Sequence, residues 1–152
     1  KGRGCDPGRS ADYAEGSTID SWADYAGGQR VKRDMELLRM VMLEVEKSTD
    51  PYELTDPKFE GHNETEISYH IALLDDAGLL HGQDRSAIGV FRWSAGALTW
   101  AGHEFVEAAR DDSVWKEALA INAKSGDGMV FEILNKALMQ VLEKRAGLEK
   151  SA

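Results

Sequence analysis

The run NETEISYHIALLDDAGLLHGQDRSAIGVFRWSAGALTWAGHEFVEAAR, residues 63–110, decides how this chain folds. Asn63 followed by Glu66 is a capping-box-like pair, in which each side chain satisfies a backbone donor at a helix start. Ile67, Ile71 and Leu74, with Leu73 and either Tyr69 or His70, recur at helical spacing up to Gly78, where a left-handed residue ends a helix. Leu79 and Leu80 then return to the core. Two strands follow, near residues 79–83 and 88–93, separated by the polar turn Asp84, Arg85, Ser86. Gly96 permits a tight turn before Leu98. Thr99 is a natural N-cap for a helix from Trp100 to about Arg110, with Phe105, Val106 and Ala109 inward.

A helix, a hairpin and a second helix in that order is the layout of a winged helix, which usually reads DNA with the first of these helices and the hairpin tip. Upstream, Met35, Leu38, Met42 and Val45 form a helical stripe within residues 32–47, widened by Leu37, Val41 and Leu43, which predicts a centrally packed helix. Residues 48–62 carry Pro51, Pro57 and Gly61 and hold at most a short strand around residues 52–55. The first helix of a helix-turn-helix pair is therefore very short, absent or replaced by extended chain.

Downstream, Asp111 and Asp112 start a helix over residues 113–124 that turns Val114, Trp115 and Leu119 inward, with acidic residues suited to the helix dipole. Val130, Ile133, Leu134, Ala137, Leu138, Val141 and Leu142 then define the longest amphipathic pattern, ending at Gly147. The expected fold is mainly α with a small β-hairpin: a winged helix-turn-helix-like domain over residues 31–147 with extra C-terminal helices, and a tail at 148–152. Residues 1–30 are rich in glycine and lack an apolar period, and read as a flexible leader or a non-native extension. Ile19, Trp22 and Tyr25, at i, i+3 and i+6, leave a docking arm as the alternative.

At 152 residues, 42% apolar and 30% charged, the composition is that of one globular domain. No apolar run approaches the roughly 18 residues of a membrane span and no signal segment opens the chain, so a cytoplasmic protein with no membrane association is expected. Cys5 is the only cysteine, which excludes an internal disulfide and a thiolate metal cluster. A net charge of −9 opposes non-specific attraction to a polyanion.

The runs VKRDMELLRMVMLEVE from Val31, ISYHIALLDDAGLL from Ile67 and ALTWAGHEFVEAARDDSVWKEA from Ala97 resemble a family of small phage and bacterial proteins known as domain of unknown function 2513. The shared signature comprises His70, Gly78, Thr99, Gly102, His103, Phe105 and Trp115 in order, within residues 31 to about 142. The resemblance implies a winged-helix-like fold and supplies no activity, catalytic residue or ligand. More distantly, AGLL, the hairpin and LTWAGHEF are similar to bacterial winged-helix repressors over residues 63–110. Their Leu and Gly positions meet core and turn requirements, so they transmit architecture more reliably than DNA binding.

In a DNA-reading winged helix, Glu64, Thr65, Glu66, Ser68 and Tyr69 are the exposed positions. Thr65, Ser68 and Tyr69 then touch phosphate or base edges, and Arg85 and Arg92 on the wing, with Lys32, Arg33 and Lys58 nearby, supply positive charge. Against this, no Lys or Arg lies between Lys58 and Arg85, whereas Glu60, Glu64, Glu66, Asp75, Asp76 and Asp84 supply six carboxylates. A protein partner is the competing reading, with Tyr69, His81, Phe91 and Trp93 as anchors unless strand alternation turns Phe91 and Trp93 inward. Val130, Leu134, Ala137 and Val141 make an a/d seam that serves either a homodimer or packing on the chain's own core.

His62, His70, His81 and His103 fit no metal-ligand spacing, and His70 and His103 read as makers of structural hydrogen bonds at the helix-wing junction. There is no nucleophile elbow, phosphate-binding loop or dinucleotide fingerprint. The sequence thus points to a non-enzymatic binding module of phage or prophage type without cofactor or metal, engaging a protein partner or acting as an accessory regulator. A sequence-specific DNA-binding transcriptional regulator is the alternative.

Overall fold

Asp34 accepts the backbone N–H groups of Glu36 and Leu37 at 2.9 and 3.4 Å, capping helix α1, Met35–Glu46. The computed structural model describes residues 31–124, 126 and 128–148; the expected leader, with its Ile19, Trp22 and Tyr25, and most of the expected tail lie outside the described residues. Met35, Leu37, Leu38, Val41, Met42 and Val45 are all buried, because α1 is flanked by two later helices and the hairpin. Its wide stripe predicted this central position.

Between α1 and helix α2, Glu64–Asp76, the chain runs through two hydrogen-bonded turns, 50–53 and 59–62, joined by irregular chain, with no helix among the described residues. Of the expected strand at residues 52–55, only Thr55 pairs: it exchanges both backbone hydrogen bonds with Ala95, at 2.7 and 2.9 Å. Asn63 caps α2 by accepting the Glu66 N–H at 2.8 Å. The reciprocal half of the expected capping box is replaced, because the Glu66 carboxylate pairs with His62 Nδ1 at 3.0 Å. At the other end Gly78 adopts φ 73°, and Leu79 N–H reaches back to Leu74 C=O while Gly78 N–H reaches Asp75 C=O. That is the Schellman closure, which requires a left-handed residue.

Strands β1, Leu80–Asp84, and β2, Trp93–Leu98, form an antiparallel hairpin with an irregularity between Leu80 and Gly82. The second strand lies five residues beyond its expected start. Asp84, Arg85 and Ser86 do not turn the chain; they prolong the wing. Arg85 N–H donates to Arg92 C=O at 2.8 Å, and the Ser86 hydroxyl bonds both backbone groups of Arg92. The reversal falls instead at Ile88 and Gly89, between the paired residues Ala87 and Val90, with Gly89 at φ 76° filling the position of a type II turn that favours glycine.

Helix α3, Trp100–Ala109, is capped by Thr99, which accepts Gly102 N–H and donates to Gly78 C=O at 2.6 Å. Helices α4, Asp112–Ala123, and α5, Phe131–Arg145, complete the order. Asp111 caps α4 through Ser113 and Val114. Leu134, Ala137, Leu138 and Val141 of α5 are buried against α3 and α4, and Phe131 packs on Phe105 with ring centroids 5.3 Å apart. Of the two uses open to this seam, a second subunit or the chain's own core, Leu134, Ala137 and Val141 take the second and are buried within the protomer, so a dimer role for them is corrected, while Val130, at the helix start, stays exposed. Among the described residues, five helices and the hairpin make a mainly α, winged-helix-like fold with extra C-terminal helices. No helix among the described residues is long and apolar enough to cross a membrane.

Candidate interaction site at the wing and the second helix

The wing descends onto the first half of α2 and leaves a cleft of 280 Å³ against the extended residues 56–58. Thr65, Ser68 and Arg92, expected in one functional surface, all line it, together with Lys58, Glu64 and Asp56. Tyr69, Arg85, Lys32 and Arg33 do not. Lys32 and Arg33 instead line a separate 630 Å³ cavity at the start of α1, where Arg33 donates to Met129 C=O at 2.6 Å.

The expected exposure of the α2 face is overturned at two positions. Ser68 is 5% and Tyr69 9% exposed. The cause is packing on two sides: α1 covers one flank of α2, the hairpin covers the other, and residues 67–72 are consequently buried without interruption. Thr65 is half-buried, and Glu64 is left facing solvent at the helix start. What α2 offers to a partner is therefore its acidic first turn.

Charge on the wing is already partly matched. Asp56 accepts the hydroxyl of buried Ser94 at 2.6 Å and lies 3.3 Å from the Arg92 guanidinium. The Ser94 hydrogen bond, aided by Arg92 and the more distant charge of Arg85 against some desolvation, holds the Asp56 carboxyl below the usual carboxylate range. Arg92 thus anchors the wing root to the extended segment before any ligand arrives. Trp93 is partly buried on this root, its ring within 3.1 Å of where a Cβ on Gly82 would sit.

At the tip the chemistry changes. Ala87 and Val90 exchange two backbone hydrogen bonds of 2.9 Å, so the turn is held while its side chains face outward. Ile88 is 105% exposed and Val90 is also exposed. A surface hollow of 440 Å³ lies in the curve of residues 84–91. Sequence reasoning missed Ile88 because Ile-Gly-Val resembles the start of a buried strand. Gly89 in an A-I-G-V run, with the turn-compatible glycine at its third position, was the available signal.

Two further polar side chains are structural. His70 is fully buried; its Nδ1 donates to Glu66 C=O at 2.7 Å and its Nε2 accepts the Asp34 N–H at 2.9 Å. Those partners fix the neutral Nδ1–H tautomer, and burial lowers its pKa below the ordinary histidine value despite the opposing influence of Glu66 and Asp34. The expected structural hydrogen bond is present, but it joins α2 to the start of α1, not to the wing. His103 is exposed on α3. Arg39, unnoticed in the sequence, is buried in α1 and donates to Ala109 C=O, Arg110 C=O and Asp112 while lying over the Trp115 ring. Among the described residues no group of His, Cys, Asp and Glu is arranged to hold a metal ion.

The positions that recur in the signature thus have tasks in the joints of the fold: His70 at α1, Gly78 and Thr99 at the α2–β1 corner, Trp115 beneath Arg39. A family model described as "Hypothetical protein (DUF2513)" matches residues 32–128. The chain belongs to the DUF2513 family. The DUF2513 match covers α1 to α4 and stops before α5, short of the expected limit near residue 142. An uncharacterized protein of Haemophilus influenzae (strain ATCC 51907 / DSM 11121 / KW20 / Rd) is 34% identical to this DUF2513 chain over 99 residues, 64% of this chain and 84% of that protein. No solved structure gives a significant match.

Proposed function

We propose that this DUF2513 chain is a non-enzymatic binding module that engages a protein partner through its wing, as a cytoplasmic accessory protein of phage or prophage type. The observation that carries this reading is Ile88, fully exposed at the tip of a hydrogen-bonded turn and accompanied by exposed Val90. An apolar side chain on a held turn reaches a partner's pocket with little loss of backbone freedom, which favours affinity.

The DNA-binding alternative rests on Arg85, Arg92, Lys58 and the half-buried Thr65. It is the weaker reading because α2 carries no Lys or Arg, Ser68 and Tyr69 are buried, and Arg92 is paired with Asp56. Affinity for a duplex grows with the number of phosphates that cations neutralise. A salt series by fluorescence anisotropy with mixed duplex DNA separates the two readings. No binding at about 50 mM salt is expected, and tight binding that Arg85→Ala weakens would replace the protein-partner reading with the DNA one. In parallel, affinity capture from host cells compares the wild type with Ile88→Asp. A protein retained by the first and lost from the second, with unchanged circular dichroism, supports the wing as the interface; identical capture by both removes Ile88 from it.

A further inference from the structure

Ser68 is buried in α2, yet its hydroxyl has no hydrogen-bond partner among the described residues. A serine inside a helix commonly turns its hydroxyl back to the carbonyl four residues earlier, and a buried polar group left without a partner is rare. The oxygen keeps access to solvent, and the opening beside it is the 280 Å³ cleft under the wing root, which Ser68 lines. Thr65 lines it too, one turn earlier on the same helix face, and its hydroxyl is equally open. Neither hydroxyl has a task in the fold described above.

Two charges on the rim of the cleft are also uncommitted. Lys58 and Glu64 are exposed, line the cleft, and form no ion pair with each other or with any other described residue. The other two charged groups of the lining are matched to each other: Asp56 accepts the Ser94 hydroxyl through one carboxylate oxygen and Arg92 through the other. At the start of α2 the Glu64 and Thr65 N–H groups have no acceptor among the described residues, because Asn63 takes the Glu66 N–H. Such open N–H groups favour negative charge.

The geometry points to a binding site for a free apolar α-amino acid in its zwitterionic form. Its carboxylate takes the Ser68 and Thr65 hydroxyls, the open N–H groups of α2 and the Lys58 ammonium. Its own ammonium takes the Glu64 carboxylate, and its side chain lies along Ile67 and Val90, which also line the cleft. Charge selects this class: the lining sets Lys58 and Arg92 against Asp56 and Glu64, and a ligand of one sign would leave one rim charge unanswered. The chain's net charge of −9 opposes a simple anion but does not repel a neutral zwitterion. Volume agrees, since the cleft lies just below the roughly 300 Å³ at which drug-sized pockets begin and so suits a compact molecule. The site does not rest on the wing reading, because Ile88 takes no part in its lining.

The test titrates the isotope-labelled full chain with L-leucine at about 150 mM salt and follows the amide NMR signals of Glu64, Thr65 and Ser68. Leucine is expected to bind at least about fivefold more tightly than 4-methylpentanoate, which lacks the ammonium, or 3-methylbutylamine, which lacks the carboxylate. Ser68→Ala should weaken leucine about tenfold, the loss of one hydrogen bond to a charged group. Lys58→Gln and Glu64→Gln should each weaken it about fivefold, while Ile88→Asp and the remote Lys136→Gln leave it within about twofold. In the ligand-free protein Ser68→Ala should not lower the thermal midpoint, because it breaks no bond. A lower midpoint would show the hydroxyl already bonded within the fold and would overturn the proposal. Equal binding of either analogue, leucine binding that Ser68→Ala leaves intact, or no amide shift at about 20 mM leucine would overturn it as well. Tighter binding of inorganic phosphate than of leucine would also overturn it, reassigning the cleft to a phosphate ligand.

Discussion

The Asp34 backbone N–H donates to His70 Nε2 at 2.9 Å, so the residue that caps α1 is itself held by a buried histidine of α2. This bond exists only while the ring is neutral. Protonation sets an N–H against an N–H at a fully buried site. The folded pKa lies below the ordinary value of 6.5, so the unfolded chain binds the proton more readily. The His70 contribution is therefore complete above about pH 6.5 and is lost as pH falls from there toward the folded value. Urea midpoints measured from pH 7.5 to 5 should decline for the wild type and decline less for His70→Gln. Parallel slopes for the two proteins would remove His70 as the cause.

Gly102 is required for a different reason. A Cβ at that position would lie 1.9 Å from Leu79 C=O, where α3 crosses the end of α2's closing turn. Backbone must move to admit it. Gly102→Ala should cost about 3 kcal/mol, at the upper end for overpacking. Gly61→Ala provides the contrast: nothing lies within 4 Å, and only its φ of 82° is strained, so about 1–2 kcal/mol is expected. Chemical denaturation ranks the two, and the reverse order would show that the α2–α3 corner can relax.

Arg39 holds the corner between α3 and α4. It donates to the last carbonyls of α3 and to Asp112 at the start of α4, while Glu36 receives both Arg39 and the Trp115 indole N–H. Arg39→Met keeps the volume of the stem and removes every guanidinium donor, leaving the Trp115 indole N–H on Glu36. Because Glu36 and Asp112 remain open to solvent, the loss should be about 2–4 kcal/mol, the range for breaking a mostly buried charged network. Equilibrium unfolding of Arg39→Met and Arg39→Lys measures it. A Lys variant as stable as the wild type would deny the fork geometry its role.

Much of this architecture was legible because its signals are local. The caps Asn63, Thr99 and Asp111, and the closing glycines Gly78 and Gly147, depend on backbone groups a few residues away. The hairpin turn was misplaced for the opposite reason. Asp84, Arg85 and Ser86 have turn composition, yet the Arg85 N–H and the Ser86 hydroxyl bond across the ladder to Arg92, a partner that spacing does not reveal. The exposure of Ser68 and Tyr69 was misplaced on the same ground, since it depends on where α1 and the hairpin pack. Arg39 was equally hidden, since its partners at the α3–α4 corner lie 70 to 73 residues away.

The α5 seam gives the last contrast between pattern and placement. Leu134, Ala137 and Val141 have heptad spacing, but spacing alone does not say which surface covers them, and here α3 and α4 do. A substitution in this seam should therefore act on stability and not on assembly. Leu134→Ala, which empties a fully buried site, is expected to cost about 2–5 kcal/mol. Light scattering at high concentration should give the same mass for the variant and the wild type. If the wild type is instead a dimer that Leu134→Ala converts to an equally stable monomer, the assignment of this stripe to the protomer's core is wrong.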